Sequence, residues 1–416
     1  MIYYIFVITI LTILYLKTVY KKKNFVNLLF FLYLNLGLTM IFPYILTLYY
    51  RGDFVNIRLG DYYMIGYVLI VFIGAYFIEN YTYGLKIKEK NRCFSHKNVC
   101  FIIAIIVFLF WIKNFDSLIL AISNPRMFYA NSRINGGVIY YVIIPLTLFL
   151  YFCYITSLPF SLKHYRKDIV KASIATLLMV ACVYIFGQKS SIITIALLYL
   201  STLSFKLKIY NKNRVILLLG VLSACVFFVI FIFYNSQQNI PFIGLFKGIA
   251  NFADYIDNFN DLVENLNEFY YGRIFLENET ISYIPRFIWP GKPELYGSLQ
   301  LGLNVPRLVD WTQSLTGAPS FGPIGTAYAD FGIFGVLIFS LFQLIMIFIA
   351  RGFEFKLKTY NFWYHVLFLC FIGVLIFYVT LPAIPIYEIL VVTFLYKCCS
   401  KTKRLSKGGV VYEIAN

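Results

Sequence analysis

A proline-rich stretch in the second half of the chain carries the residues best suited to chemistry. It reads Ile284-Pro-Arg-Phe-Ile-Trp-Pro-Gly-Lys-Pro293, and its three prolines and one glycine predict an extended, stiff backbone. Arg286 and Lys292 offer donors for phosphate oxygens, while Trp289 offers a flat ring on which a sugar face can lie. At a membrane surface the same residue types also serve as interfacial anchors and headgroup contacts, so both interpretations stand.

Just before this stretch the sequence predicts an amphipathic helix with an acidic stripe. Apolar residues recur there at spacings of three and four, at Phe252, Ile256, Phe259, Val263, Leu266 and Tyr270. Acidic residues follow the same spacings, at Asp254, Asp257, Asp261, Glu264 and Glu268. The favoured interpretation is a solvated face on a helix that lies across the outer mouth of a membrane protein. The alternative is a site for a cation or for sugar hydroxyls.

The elements that must position these residues are membrane helices. Of 416 residues, 60% are hydrophobic and 13% are charged, whereas soluble domains carry about 25% charged residues. This composition excludes soluble enzymes, secreted disulfide scaffolds and disordered chains. The predicted fold class is an all-α membrane protein with about 11 transmembrane helices and one large extracytoplasmic loop. The eleven apolar runs are 2–16, 25–49, 62–79, 99–112, 138–157, 171–187, 190–205, 215–234, 323–350, 361–380 and 383–396.

The basic residues between these runs predict the orientation. Of the 36 lysines and arginines, 25 fall in one alternate set of connections, which is therefore predicted to be cytoplasmic. The N-terminus is then outside, and the first span lacks the basic start and cleavage site of a signal peptide. The net charge of +17 is thus a topology signal that needs no nucleic-acid partner. The predicted divisions are eight spans over 1–234, the large outer loop 235–322, three spans over 323–396 and a basic cytoplasmic tail 397–416.

Cysteine and histidine positions exclude several chemistries for the large loop. None of the eight cysteines lies in 235–322, so no disulfide framework and no zinc spacing is expected there. The three histidines, at positions 96, 164 and 365, lie on or near the predicted cytoplasmic side. No zinc site is therefore expected in this loop, and the sequence predicts no cofactor.

These features together resemble the O-antigen and capsular oligosaccharide repeat-unit polymerases of bacterial plasma membranes. Besides the proline-rich stretch, the resemblance is carried by Gly322-Pro-Ile-Gly-Thr-Ala-Tyr-Ala-Asp-Phe-Gly332 and by Gly187-Gln-Lys-Ser-Ser191. Two outer loops with arginine, 113–137 and 235–322, match the layout of that family. The chain departs from it at Lys189, where many relatives are expected to carry arginine. The absence of an outer-loop histidine favours a polymerase over the related O-antigen ligases.

The resemblance implies a reaction and a set of site residues. A growing glycan on undecaprenyl diphosphate would be transferred to a hydroxyl of a new lipid-linked repeat unit on the outer face, without a nucleotide sugar. Arg286 and Arg273 are the first candidates to stabilise the departing diphosphate. Asp330 has priority as the carboxylate at the acceptor hydroxyl, because it sits at the outer end of a predicted span; Glu277 and Glu279 are alternatives. Substrate contacts are expected from Arg133, Lys292, Trp289, Arg307, Arg126, Trp311 and Lys189.

Three other functions compete with this one. An O-antigen ligase-like transferase shares the layout, and a transporter or flippase of lipid-linked oligosaccharide would share the substrate. A transporter predicts repeat symmetry and charges within the spans, and the sequence offers little of either. A purely structural subunit leaves the arginine and proline cluster without a reason. The expected partners are the lipid-linked oligosaccharide and membrane lipid, with a chain-length regulator and a repeat-unit flippase as candidates.

Overall fold

The fold is given by a computed structural model. It describes residues 1–22, 27–80, 93–94, 97–113, 119, 122, 137–158, 165–185, 189–206, 254–281, 284, 288–313, 320–357, 365, 367–368 and 400–401. The α-helices are α1 (Ile2–Lys22), α2 (Leu28–Leu32), α3 (Phe42–Arg51), α4 (Leu59–Asn80), α5 (Lys97–Lys113), α6 (Gly137–Ser157), α7 (Tyr165–Ile185), α8 (Lys189–Lys206), α9 (Asp254–Asn265), α10 (Arg273–Thr280), α11 (Val309–Gln313) and α12 (Gly325–Lys356). A π-helix, Tyr33–Ile41, joins α2 to α3, and 3₁₀ turns occupy Gly297–Asn304 and Pro306–Leu308.

The described helices coincide with the predicted spans. Eight of the eleven predicted runs are helical, while 215–234, 383–396 and nearly all of 361–380 lie outside the described residues. Within the described part, four helical runs are long and apolar enough to cross a membrane: α1, Leu28–Arg51, α4 and Gly325–Phe355 of α12. The chain is therefore a helical membrane protein. Its strand content in the described part is one two-residue pairing, β1 (Cys93–Phe94) with β2 (Ser400–Lys401).

The helical body has two distinguishable ends. At one end the ammonium of Met1 donates to the backbone oxygen of Phe54 at 3.2 Å, in the connection between α3 and α4. At the other end Lys22, Glu79 and Arg351 meet, with 2.5 Å between the Lys22 ammonium and the Glu79 carboxylate and 3.3 Å between Arg351 and that carboxylate. Segments predicted to share a membrane face therefore share an end of the body.

A second, smaller core sits at the Met1 end. The described residues from 254 to 321, called the cap below, contain α9, α10, α11 and the 3₁₀ turns. Their apolar side chains bury one another against the start of α12, at Leu262, Ile274, Leu301, Val305, Leu308, Phe321 and Ala329. The cap also packs α9 on α4 at Gly60, where a Cβ would lie only 3.0 Å from the Cα of Asn260. This close approach fixes the cap on the helical body.

The last long helix is broken near its start, where the sequence predicts one continuous span. Phe331 (φ −139°, ψ 15°) and Gly332 (φ 60°, ψ −141°) leave helical geometry, and the positive φ at Gly332 suits glycine. The break diverts two carbonyl oxygens of α12 to the cap. Ala329 accepts the N–H of Tyr270 and Asp330 accepts that of Tyr271, each at 3.0 Å. The segment that leads into α10 is thereby bonded to the start of the last long helix.

Candidate functional site

The predicted amphipathic helix forms as α9, and its apolar stripe is buried. Ile256, Phe259 and Leu262 are each fully buried, as the spacing predicts. The helix ends at Asn265, five residues before the predicted end at Tyr270. The reason is tertiary: the backbone of residues 270 and 271 pairs with α12 instead of continuing the helix.

The acidic stripe of α9 is paired with arginines, so the prediction of a solvated face is wrong for three of its five residues. Arg51 binds Asp257 through two parallel bonds of 2.9 and 2.7 Å. Arg58 reaches Asp261 at 2.5 Å and Glu264 at 2.7 and 2.9 Å. The hydrogen bonds that Arg58 donates to Glu264 and Asp261 raise the pKa of its guanidinium above its usual value. Arg51 is the last residue of α3 and Arg58 immediately precedes α4, so both are about 200 residues away from α9 in sequence.

These ion pairs also bear on the alternative of a cation site. The acidic oxygens that face the body already bind guanidinium groups, which removes the negative potential a cation would need. Among the described residues, no group of histidine, cysteine, aspartate and glutamate is arranged to hold a metal ion. Asp254 and Glu268, the two remaining members of the stripe, are exposed.

A buried carboxylate that the sequence did not single out lies beneath this layer. Asp61, 3% exposed at the start of α4, accepts hydrogen bonds from the Tyr4 hydroxyl at 2.8 Å, the Tyr44 hydroxyl at 3.2 Å and the Asn260 amide at 2.8 Å. Its other oxygen accepts the backbone N–H of Arg58 at 3.0 Å. The network joins α1, α3, α4 and α9. The sequence feature that could have indicated this network is an acidic residue, Asp61, at the edge of the apolar run 62–79.

Arg307, predicted to contact the substrate, instead binds the acidic stripe of α9, as Arg51 and Arg58 do. Its guanidinium binds Asp261, the carboxylate that also binds Arg58, and it donates to the Asn258 side-chain oxygen at 2.7 Å. The Asn258 amide in turn donates to the backbone oxygen of Ser320 at 2.9 Å. Arg307 therefore ties the second half of the cap to α9. We define Arg51, Arg58, Arg307 and their carboxylates on α9 as the arginine clamp.

Asp330 and Arg273, both predicted as catalytic residues, lie at the same end of α10. The Asp330 carboxylate accepts the backbone N–H groups of Ile274 at 3.0 Å and Phe275 at 2.9 Å. It thus satisfies two of the donors that a helix start leaves open, although it lies 56 residues away from that helix in sequence. Arg273, the first residue of α10, has a side chain 62% exposed and bonded to Glu277 at 2.6 Å.

The proline-rich stretch folds back on its own lysine. Lys292 is 9% exposed and donates to the backbone oxygen of Ile284 at 3.0 Å, while its ammonium lies 4.8 Å from the ring centre of Tyr296. A turn bond of 3.0 Å runs from the Lys292 N–H to the Trp289 oxygen. Trp289 itself remains 38% exposed. Lys292 thus contacts Ile284 on one side of it in the sequence and Tyr296 on the other.

The 3₁₀ turn Gly297–Asn304, which follows the proline-rich stretch, is bonded to α10. Glu277 accepts the backbone N–H of Gly297 at 2.7 Å and the Gln300 amide at 3.1 Å, through the oxygen that does not bind Arg273. Asn278 accepts the backbone N–H of Ser298 at 3.0 Å. The helix that begins with Arg273 and the turn that follows the proline-rich stretch are therefore bonded to each other.

Two curated proteins are similar to this chain over most of its length. They are the O-antigen polymerases of Salmonella typhimurium strain LT2 and of Salmonella typhi, each 28% identical over 329 residues. The aligned part covers 75% of this chain and 74% of each relative. No protein-family model and no solved structure matches the chain. The chain is a relative of the O-antigen polymerases. These two relatives support the resemblance to O-antigen polymerases that the sequence motifs indicate.

For a relative of the O-antigen polymerases, the cap gathers about half of the predicted site. Arg273, Trp289, Lys292, Arg307 and Asp330 lie in it or at its junction with α12. Lys189 begins α8, Trp311 belongs to α11 and Glu279 to α10, and their side chains are not described. The predicted residues Arg126, Arg133 and Arg286 lie outside the described residues.

Proposed function

We propose that the chain polymerises lipid-linked oligosaccharide repeat units during O-antigen synthesis. In each cycle the bond between the reducing-end anomeric carbon of the growing glycan and the diphosphate of its undecaprenyl carrier breaks. A hydroxyl oxygen of an incoming lipid-linked repeat unit bonds to that carbon, and its proton passes to a base. The carrier diphosphate leaves with the bonding electron pair. No nucleotide sugar, metal or redox partner enters this balance.

The observation that carries the proposal is the similarity to two O-antigen polymerases across three quarters of the chain. The arrangement of the cap supports it. Arg273 and Trp289 are exposed in the cap, at the Met1 end of an apolar helical body, where a lipid-held diphosphate would present its charge. By the predicted orientation this end is the outer face of the plasma membrane, and the tail is cytoplasmic.

The departing diphosphate requires preorganised positive groups, and the cations of the cap are not equivalent for this task. We assign the leading role to Arg286, which carries the resemblance to the polymerase family within the proline-rich stretch. Arg273 comes next. Its single exposed pairing with Glu277, four residues along the helix, stabilises by about 0.3–0.5 kcal/mol and yields readily to a diphosphate. Arg126, Arg133, Lys189 and Lys292 then contribute weaker contacts, with Trp289 and Trp311 as sugar platforms.

The acceptor hydroxyl needs a carboxylate, and the geometry shifts this role away from Asp330. Both Asp330 oxygens accept peptide N–H groups of α10, which makes it a positioning residue for Arg273. Glu277 and Glu279 are the remaining candidates from the sequence. Of these, Glu277 accepts a hydrogen bond from Arg273 through one oxygen and from the 297–300 turn through the other. If the substrate diphosphate binds Arg273, the first of these oxygens becomes available to the acceptor hydroxyl.

A deletion strain tests the proposal. Loss of a polymerase leaves single repeats on the surface, loss of a flippase leaves none outside, and loss of a ligase leaves long polymer on the carrier lipid. We expect the first pattern on glycan gels, with restoration by the wild-type chain. Either of the other two patterns would refute the proposed function.

Complementation with point variants then tests the site. We expect Arg286→Ala at normal membrane abundance to leave only single repeats. Arg51→Ala is a suitable comparison, because Arg51 is in the arginine clamp and should retain long glycan when the protein is present. Glycan of normal length and amount from Arg286→Ala would remove Arg286 from the site without contradicting the function.

A further inference from the structure

An apolar groove lies between α6 and α7 of the helical body. It encloses about 500 Å³, and its walls include Leu150, Tyr154, Lys171, Ile174, Leu178 and Cys182. The lining is almost wholly apolar apart from the lysine, two tyrosines and a threonine. Such a shape suits a hydrocarbon chain rather than a sugar.

The groove has a polar end and an apolar end. Because α6 and α7 are antiparallel neighbours, Tyr154 and Lys171 lie together at one end, while Thr147 and Cys182 lie at the other. Cys182 lies eleven residues after Lys171 in α7, and at a rise of 1.5 Å per residue the two are about 16 Å apart along the helix axis. This length accommodates most of one extended fatty-acyl chain.

Positive charge is concentrated at the polar end. Lys167 and Lys171 are exposed and lie four residues apart on one face of α7. Among the described residues, neither ammonium forms an ion pair with a carboxylate. The nearby Asp168 is buried, and Lys206 of α8 interacts with it electrostatically. A phosphate at the mouth of the groove would meet two lysines.

The polar end lies away from the cap. The Lys206 ammonium donates to the backbone oxygen of Leu158 at 2.8 Å, next to the end of α6. From there the rings of Phe205, Phe368 and Phe31 contact one another in series, with centres 5.4 and 5.8 Å apart, and reach the start of α2. That start follows the Lys22 end of α1, opposite to the Met1 end that carries the cap. A carrier lipid reacting at the cap would hold its diphosphate at the other end of the body.

From this geometry we propose that the groove is a binding site for an anionic membrane phospholipid. One acyl chain occupies the apolar length between α6 and α7, and the phosphate binds Lys167 and Lys171. The lipid is a resident of the membrane leaflet opposite to the cap, distinct from the lipid-linked glycan. The proposal does not depend on which reaction the cap performs.

The test is lipid binding by the purified full-length chain, measured by native mass spectrometry in a neutral detergent. Dioleoyl-phosphatidylglycerol and dioleoyl-phosphatidylcholine differ in charge but share their acyl chains. We expect about tenfold tighter binding of phosphatidylglycerol, since each lysine near a phosphate favours an anionic lipid several-fold. Equal binding of the two lipids would overturn the proposal, and this comparison needs only the wild-type chain.

Variants locate the site. Lys167→Gln with Lys171→Gln should abolish the preference, whereas Lys21→Gln, an exposed lysine of α1 at the same end of the body, should leave it intact. Ala175→Phe fills the groove and should weaken binding of the dioleoyl lipid. A dihexanoyl analogue, whose short chains do not need the groove, should bind equally well to the wild type and to this variant. A preference that survives the double lysine variant would refute the site. Displacement of phosphatidylglycerol from this groove by equimolar undecaprenyl phosphate would assign it to the carrier lipid and overturn the proposal equally.

Discussion

The arginine clamp and the surface around α10 use similar cations in different surroundings. In the clamp, Arg51, Arg58 and Arg307 each bind a carboxylate of α9, and Arg58 binds two. Around α10, Lys292 is held by a carbonyl oxygen and a tyrosine ring, and Arg273 has one exposed partner on its own helix. Cations whose charge is already matched hold the cap in place. Arg273, whose carboxylate partner lies on its own helix and whose side chain is exposed, is better placed to take up a substrate's negative charge.

This comparison first predicts what happens when the support beneath the clamp is removed. Asp61→Ala should cost about 3–5 kcal/mol, because it leaves the buried Tyr4 and Tyr44 hydroxyls and the Asn260 amide without their shared acceptor. The expected result is a large fall in membrane-inserted protein and in melting temperature in detergent. Asp61→Asn keeps one acceptor oxygen and should lose less. Normal abundance and melting temperature of Asp61→Ala would contradict a supporting role for the network.

For the residues around α10, substitution of Arg273 should lower activity without lowering stability. Arg273→Ala should lower polymerisation by about 100-fold, the scale of removing one preorganised donor from a site of developing charge. Its melting temperature should stay close to wild type, because the 62% exposed side chain makes only one local pairing. Transfer of labelled repeat units in membranes, normalised to protein amount, measures the effect. A fall in stability equal to the fall in activity would place Arg273 with the clamp.

The sequence motifs named Arg273 as a catalytic candidate, but the charge content of the sequence did not predict the arginine clamp. Apolar runs predicted eight helices in their observed places, because a membrane helix is specified by local composition. The stripe of α9 likewise predicted its buried face. By contrast, the partners of that helix's carboxylates, Arg51 and Arg58, lie about 200 residues away and nothing in the helix itself indicates them.

The Asp61 network and the broken helix show the same limit. Asp61 acquires its partners from three other helices, so its importance appears only when α1, α3 and α9 are brought together. The break at Phe331 and Gly332 lies in an apolar run that reads as continuous helix. It is explained by the hydrogen bonds that Ala329 and Asp330 make to the cap, and these depend on the tertiary fold.

Substitutions of Asp330 test whether this residue supports the fold of α10 or acts as a general base, and their expected effect is smaller. The Asp330 carboxylate accepts two N–H groups at the start of α10, so Asp330→Ala should lower the free energy of unfolding by about 0.5–2 kcal/mol. Asp330→Asn should recover part of this loss, because its side-chain oxygen can still accept one of the two N–H groups. Activity should follow the same order, with Asp330→Asn above Asp330→Ala. A general base predicts instead that asparagine is as inactive as alanine. Initial transfer rates of the two variants, at matched protein amounts, distinguish these roles.

The smallest predicted effect separates Arg307 from the catalytic cations. Its guanidinium is 49% exposed and shares Asp261 with Arg58, so Arg307→Ala should cost about 0.2–1 kcal/mol and lower polymerisation only as far as it loosens the cap. Arg307→Lys retains the charge and should restore most of the loss. Since screening weakens exposed pairs, the stability difference between wild type and Arg307→Ala should shrink in high salt. A loss of transfer near that of Arg273→Ala, at unchanged melting temperature, would instead return Arg307 to the substrate site and place the boundary between support and catalysis within the clamp.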